Sequence, residues 1–213
     1  MSEFTVLGYP RSGGNLLRHI VQNLRGENIF DIIAANASDI CIKTHEPDTI
    51  RQPTKVILII RNYQDAIAGH MLRDLCKKTY NENTIIKLKD GVSRYAKQYF
   101  EVLEAFDKLD EPKGVVYYED LIMYPYAVID QLGLFMHCED SIVDAFIENY
   151  KTHFDKLLGK YGDYHGKFSE GKNGFYEKNT STDFTREVLD SFYDNHLYKK
   201  YLLRYEEGWR EGV

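Results

Sequence analysis

Residues 4–26 read FTVLGYPRSGGNLLRHIVQNLRG: an apolar run, a glycine-rich turn and a helical pattern. Such a turn presents several backbone N–H groups to an anion at the start of a helix. Gly13 and Gly14 permit a tight turn and a close approach of backbone to ligand. Arg11 adds a fixed positive charge, Ser12 a hydroxyl, and Asn15 completes the turn. Against the phosphate-loop template G-x-x-x-x-G-K-[ST], Gly8 and Gly13 match, but Gly14 stands at the Lys position and Asn15 at the Ser/Thr position. A magnesium–nucleotide site puts that hydroxyl on the metal. The residue types therefore point to a phosphate ligand held without magnesium. The other reading is an ordinary strand-to-helix turn whose glycines serve geometry alone.

Four strands must position this loop. Residues 4–9 read as a buried strand, 39–43 as a short one, 55–60 (KVILII) as the clearest and 114–119 (GVVYYE) as the last. Helices are expected over 63–78, over 91–109 with Ser93 as N-cap, over 124–136 with Pro125 in the first turn, and over 140–160. Gly26 stands where a helix C-cap belongs. A polar, Gly-dotted stretch covers 159–182, and a last helical segment starts at Asp183. Strands alternating with helices predict an α/β fold: a three-layer αβα domain over residues 1–213, with a central parallel sheet and a phosphate-loop-like strand–loop–helix at its start. Ligands of such sheets bind at the carboxyl ends of the strands. Arg11–Asn15, Lys43–His45, Arg61–Asp65 and Glu119–Asp120 should therefore converge.

The bulk composition narrows the function. A formal charge of −6 argues against general nucleic-acid binding, though not against a local basic pocket. Cys41, Cys76 and Cys138 are few, odd in number and far apart, which fits neither a disulfide framework nor a structural zinc site. No apolar run is long enough to span a bilayer, and the first residues read as a strand rather than a signal peptide. The expectation is a cytoplasmic protein in a reducing compartment, with neither nucleic acid nor membrane as partner; the sequence leaves the oligomeric state open.

Four segments in order resemble the cytosolic sulfotransferases. YPRSGGNLL is similar to that family's YPKSGTTWL loop, IKTHEP to its KTHLP, VILIIRNYQDAIAGHML to its VVYVARNAKDVAVSYYH, and VVYYEDLIMYP to its LFYEDMKENP. A weaker fifth match sets 168–185 against RKGxxGDWKNxFT. Together they span nearly the whole chain. The resemblance implies transfer of a sulfuryl group from PAPS (3′-phosphoadenosine 5′-phosphosulfate) to a hydroxyl or amine, with PAP as product and no metal. The acceptor would be a small molecule, a glycan or a peptidyl group.

Position by position, the resemblance puts Arg11 in place of the family's loop lysine, with Ser12, Gly13, Gly14 and Asn15 completing the 5′-phosphosulfate cradle. It implies Lys43 beside the transferring group, His45 as catalytic base, Arg61 and Gly69 on the 3′-phosphate, and Tyr118 at the adenine. Gly171 and Lys172 fall in the last segment. In an in-line displacement, cations at the bridging oxygen stabilise the departing phosphate, and an imidazole is suited to accept the attacking group's proton near neutrality. Glu46 is the rival base. Asp65 or Asp120 is an alternative partner for Arg61, and Tyr118 could equally be core.

The pattern departs from the family in four places. Leu16 replaces the aromatic that stacks on adenine, with Phe175 or Tyr176 as substitutes. Gly69 replaces a serine, with His70 and Arg73 nearby; Ser169-Glu170-Gly171 replaces the RKG triplet, leaving Lys167 or Lys172 to compensate; and the chain is shorter. Lys178, Thr182 and Glu187 match the spacing of a family dimerisation motif, but Asp183 stands at its apolar position, and capping of a helix by Thr182 or Asp183 is the better reading. Two other functions remain open: a phosphate-loop nucleotide or small-molecule kinase, and a nucleotide-binding protein with a degenerate site.

Overall fold

The computed structural model describes residues 3–26, 41–50, 54–75, 82–110, 112–150 and 196–205. Four strands, β1 (Phe4–Gly8), β2 (Cys41–Thr44), β3 (Lys55–Ile60) and β4 (Lys113–Tyr117), form one sheet in the order β2-β1-β3-β4. Every pairing is parallel; Val6 sits opposite Lys43 on one side and Ile57 on the other. The carboxyl ends of all four strands therefore lie along one edge of the sheet.

The helices are α1 (Gly14–Leu24), α2 (Tyr63–Leu75), α3 (Glu82–Asp107), α4 (Tyr118–Met123), α5 (Pro125–Met136), α6 (140–150) and α7 (His196–Tyr201). Alternating strand residues feed two cores. Leu7, Leu58 and Ile60 pack with Ile67, Met71, Tyr99, Leu103 and Leu197 from α2, α3 and α7. Phe4, Val6, Ile57 and Ile59 pack with Leu17, Ile20, Ile129 and Phe146 from α1, α5 and α6. Each such side chain contributes roughly 1.5–3 kcal/mol of burial. The chain is thus an α/β protein with helices against both faces of a parallel sheet, an arrangement compatible with three αβα layers.

Several boundaries differ from expectation. Ser93 does not cap a helix: α3 begins eleven residues earlier, at Glu82, and Ser93 is exposed within it. Gly91 thus lies inside the helix, where a glycine costs only about 1 kcal/mol, and the apolar stripe Val92, Tyr95, Ala96, Tyr99, Leu103 and Phe106 offsets it. The last strand stops at Tyr117, and Tyr118 opens α4, whose first turn carries Glu119 and Asp120. Carboxylates in a first helical turn oppose the helix dipole favourably. Gly26 does follow α1 with φ +83°, Pro125 does open α5, and Asp65 lies in the first turn of α2. The expected stretch at 159–182, the helix start at Asp183 and the end of the 140–160 helix lie outside the described residues. Among the described residues no helix is long and apolar enough to cross a membrane.

Candidate functional site

The loop between β1 and α1 is a tight backbone device. Arg11 has φ +72° and Gly13 φ +89°, both left-handed. For an arginine this conformation costs on the order of 1–3 kcal/mol and persists only where neighbours enforce it. Two contacts do so: Ser12 N–H donates to the Tyr9 carbonyl (3.2 Å), and Arg61 Nη1 donates to the Arg11 carbonyl (3.2 Å). Gly13 admits no side chain, because a Cβ there would lie 2.4 Å from Cδ2 of the Tyr118 ring.

The loop leaves donors open. Gly13 is the N-cap of α1 and, having no side chain, makes no side-chain cap bond. The first N–H groups of a helix have no partner within it. Ser12 is 1 % exposed, and among the described residues its Oγ has no hydrogen-bond partner. A buried unpaired hydroxyl costs roughly 1–3 kcal/mol unless something else satisfies it. Ser12 is one of the residues that the sequence resemblance puts in the cradle.

The next strand brings two more groups. Lys43 lies near the end of β2, and its stem runs beside the first residue of α1: a Cβ on Gly14 would lie 3.1 Å from Lys43 Cδ. His45 follows the strand. Its Nδ1 donates a short hydrogen bond to the carbonyl of Gly8, the last residue of β1. A carbonyl can only accept, so the neutral ring carries its proton on Nδ1. The Nε2 lone pair then faces Lys43 Nζ at 3.2 Å. Gly8 is itself required by close strand packing, since a Cβ there would meet Ile59 Cγ2 at 2.6 Å. Glu46, the rival base, is joined through its backbone to the Thr44 and Thr49 hydroxyls (2.9 and 2.6 Å).

Arg61 leaves β3 toward the same edge. Its guanidinium carbon lies 5.0 Å from the centre of the Tyr118 ring, and Nη2 reaches Asp65 Oδ2 only at 3.8 Å. The alternative partner Asp65 is thus in range at a loose distance, while Asp120 is committed elsewhere. Asn62, the residue after Arg61, caps α2 by accepting from Gln64 N–H (3.0 Å).

Arg11, Ser12, Gly13, Gly14, Lys43, His45, Arg61 and Tyr118 therefore form one connected set, and Asn15 continues it as the second residue of α1. Gly69 is buried in α2. The contact from that helix toward the loop is made by His70, whose Nδ1 shares a 2.8 Å hydrogen bond with the Tyr9 hydroxyl. Leu16 packs against the apolar core beside α1. Gly171 and Lys172, with Lys167, Phe175 and Tyr176, lie outside the described residues.

One expected convergence is corrected. Glu119 and Asp120 do stand at the carboxyl edge, but both are committed to structure. Glu119 accepts from Asn62 N–H (2.8 Å) and from Tyr205 OH (2.7 Å). Asp120 takes both Nη groups of Arg204 (2.8 and 2.6 Å), and that guanidinium lies 4.0 Å above the Tyr117 ring. A bidentate pair stacked on an aromatic ring is a strong local clamp. Burial first, then the nearby Glu119 charge, pushes the Tyr205 hydroxyl far above its ordinary pKa, so it stays a neutral donor.

Sequence reasoning missed the bracing tyrosines. Tyr99 donates to the Arg61 carbonyl (2.8 Å), and burial, with Glu119 adding to it, raises its pKa well above 10. Its ring lies 5.0 Å from that of Tyr9. Only the helical stripe containing Tyr99 signalled its burial; nothing local signalled its bond.

No family model matches the chain, and no curated protein matches it either.

Proposed function

We propose that the chain transfers a sulfuryl group from PAPS to a hydroxyl or amine acceptor. The observation that carries the reading is the buried Ser12 Oγ, unpartnered among the described residues, beside a helix start whose N-cap is a glycine with no side-chain cap bond. Both ask for an anion with several acceptor oxygens. The loop would act as a phosphate-loop-like cradle in a three-layer αβα domain. The residues fit the donor's charge: Arg11 and Lys43 for the bridging and 5′-phosphate oxygens, Arg61 for a further phosphate. Arginine suits that last role because its guanidinium bonds phosphate bidentately.

The step balances without another reactant. The acceptor's O–H or N–H gives its proton to His45 Nε2 as its heteroatom bonds to sulfur. The bond from sulfur to the bridging oxygen breaks, and PAP leaves with that electron pair. His45 is suited to this because its Nδ1–H is fixed on Gly8, which leaves Nε2 as the basic nitrogen. Positioning and preorganised charge supply the rest of the acceleration. The charge of Arg11 and Lys43 takes the place of a magnesium ion, in keeping with Gly14 and Asn15 at the template's Lys and Ser/Thr positions. The reading carries with it a cytoplasmic setting and a small-molecule, glycan or peptidyl acceptor.

Calorimetry with PAP, and with ATP in the presence and absence of magnesium, tests the reading, followed by an acceptor screen with labelled PAPS. PAP binding and label transfer are expected. Tight magnesium-dependent ATP binding without PAP binding would instead make the protein a kinase. PAP binding with no transfer to any acceptor would make it a nucleotide-binding protein without the activity.

A further inference from the structure

We propose that Lys43 is a latch on His45: its ammonium occupies the basic nitrogen until an anion enters the loop, so the base is exposed only after the donor has bound. The proposal rests on the sulfuryl-transfer reading for the donor's identity, but the latch itself stands on three contacts.

The first contact sets the tautomer. His45 Nδ1–H is donated to the Gly8 carbonyl, so Nε2 bears the lone pair. The second occupies that lone pair: Lys43 Nζ lies 3.2 Å from Nε2. An ammonium has only donors, so the hydrogen bond runs from Lys43 to His45. A nitrogen engaged in this way cannot take a proton from an acceptor.

The third contact supplies the release. The Lys43 stem passes against Gly14, where α1 begins, and the first N–H groups of a helix have no partner within it. An anion drawn to those groups arrives beside the lysine chain. Lysine has a flexible four-carbon stem and a compact charge, so its head can turn without moving the strand. Its hydrogen bond to a phosphate or sulfate oxygen joins opposite charges and is stronger than its bond to a neutral imidazole. The anion therefore wins the ammonium, and Nε2 is released from the lysine. No covalent bond changes: Lys43 stays an ammonium and His45 keeps its proton on Nδ1.

The consequence is an order of events. An acceptor that arrives first meets a blocked base. An acceptor that arrives after the anion meets a base no longer held by the lysine, with Lys43 already placed on the group to be transferred.

The test is nitrogen NMR on protein carrying ¹⁵N-labelled imidazoles, with the His45 signals identified by their loss in His45→Gln. The probes are PAP and inorganic phosphate, and PAP binding is measured in parallel by calorimetry. In the ligand-free wild type, the Nε2 signal is expected at the position of a hydrogen-bonded lone pair. It should move on adding an anion to the position that Lys43→Met shows without any anion. Lys43→Arg, which retains a donor, should resemble the wild type. Identical Nε2 positions in ligand-free wild type and Lys43→Met would overturn the latch, as would an Nε2 signal that neither anion moves. A shift with phosphate in a protein that does not bind PAP would keep the latch and remove the sulfuryl-transfer reading.

Discussion

The ring of Tyr118 lies where a side chain on Gly13 would have to be: a Cβ there would fall 2.4 Å from Cδ2 and 2.8 Å from Cε2. Gly13 also has φ +89°, which disfavours any L side chain. Gly13→Ala is therefore expected to be destabilised by about 1–3 kcal/mol and to lose PAP binding, because either the ring or the loop must move. Gly14→Ala is the contrast. The only tight neighbour of its Cβ would be the flexible Lys43 stem at 3.1 Å, with Val6 Cγ1 at an ordinary 3.9 Å, and stability should stay within about 1 kcal/mol of wild type. Urea denaturation and PAP calorimetry on both variants check this. Equal stability loss at the two positions would mean that the Gly13–Tyr118 contact is not what fixes the loop.

His45→Gln should separate chemistry from binding. A glutamine amide can still donate a hydrogen bond but offers no basic nitrogen. Turnover is expected to fall about 10²–10⁴-fold, the usual worth of a general base, while PAP affinity changes by less than about tenfold. Rate and affinity measured on one preparation decide the matter. Unchanged turnover would remove His45 from the base role and return attention to Glu46.

Arg61 bonds the Arg11 carbonyl and lies over Tyr118, so it braces the loop's strained turn; the proposed function gives it a phosphate to hold as well. A lysine keeps the charge but loses the planar fork. Arg61→Lys is expected to weaken PAP binding by about tenfold or more, each tenfold being ~1.4 kcal/mol. An inorganic phosphate titration should show a smaller loss if Arg61 serves a second phosphate group. Undiminished PAP affinity in Arg61→Lys would leave the arginine a purely structural brace.

How far the sequence could be read depended on range. The strand at 55–60, the glycines of the loop, the lysine near the end of the second strand and the histidine after it were legible because apolar runs and turn residues act locally. The sheet edge followed from strand–helix alternation, and it does bring Lys43, His45 and Arg61 to the loop. Helix starts were less legible. Ser93 looks like a helix start, yet packing of the stripe around Tyr95 and Tyr99 overrides that local signal. The commitment of Glu119 and Asp120 was hidden entirely. Their partners Tyr205 and Arg204 lie 86 and 84 residues further along the chain. Identical carboxylates at a strand end suit a ligand or a clamp equally, and only the distant partners distinguish the two. The tautomer of His45 was hidden for the same reason, since a backbone carbonyl on another strand sets it.

The junction of α3 and α7 gives a stability test independent of function. Asp107, at the end of α3, accepts from Lys200 Nζ and from Tyr201 OH (2.7 Å). The Lys200 bond first, and the Tyr201 bond second, hold the Asp107 carboxyl below its ordinary range. The Tyr201 hydroxyl is pushed up to about 12, chiefly by burial, so it remains a donor throughout. The folded value for Asp107 lies below the unfolded one of about 3.9. Its contribution is therefore fully present above about pH 4 and is lost as pH falls through the folded value. Asp107→Asn is expected to cost about 1 kcal/mol at pH 7, the ordinary worth of such a hydrogen bond. Lys200 is half-exposed, which keeps the ionic part small. As pH falls below about 4 the protonated aspartate comes to resemble asparagine, and the two proteins should converge. Urea denaturation of both at pH 7 and at the lowest pH where they stay folded measures the difference. A gap of equal size at both would assign the effect to packing rather than to the Asp107 charge.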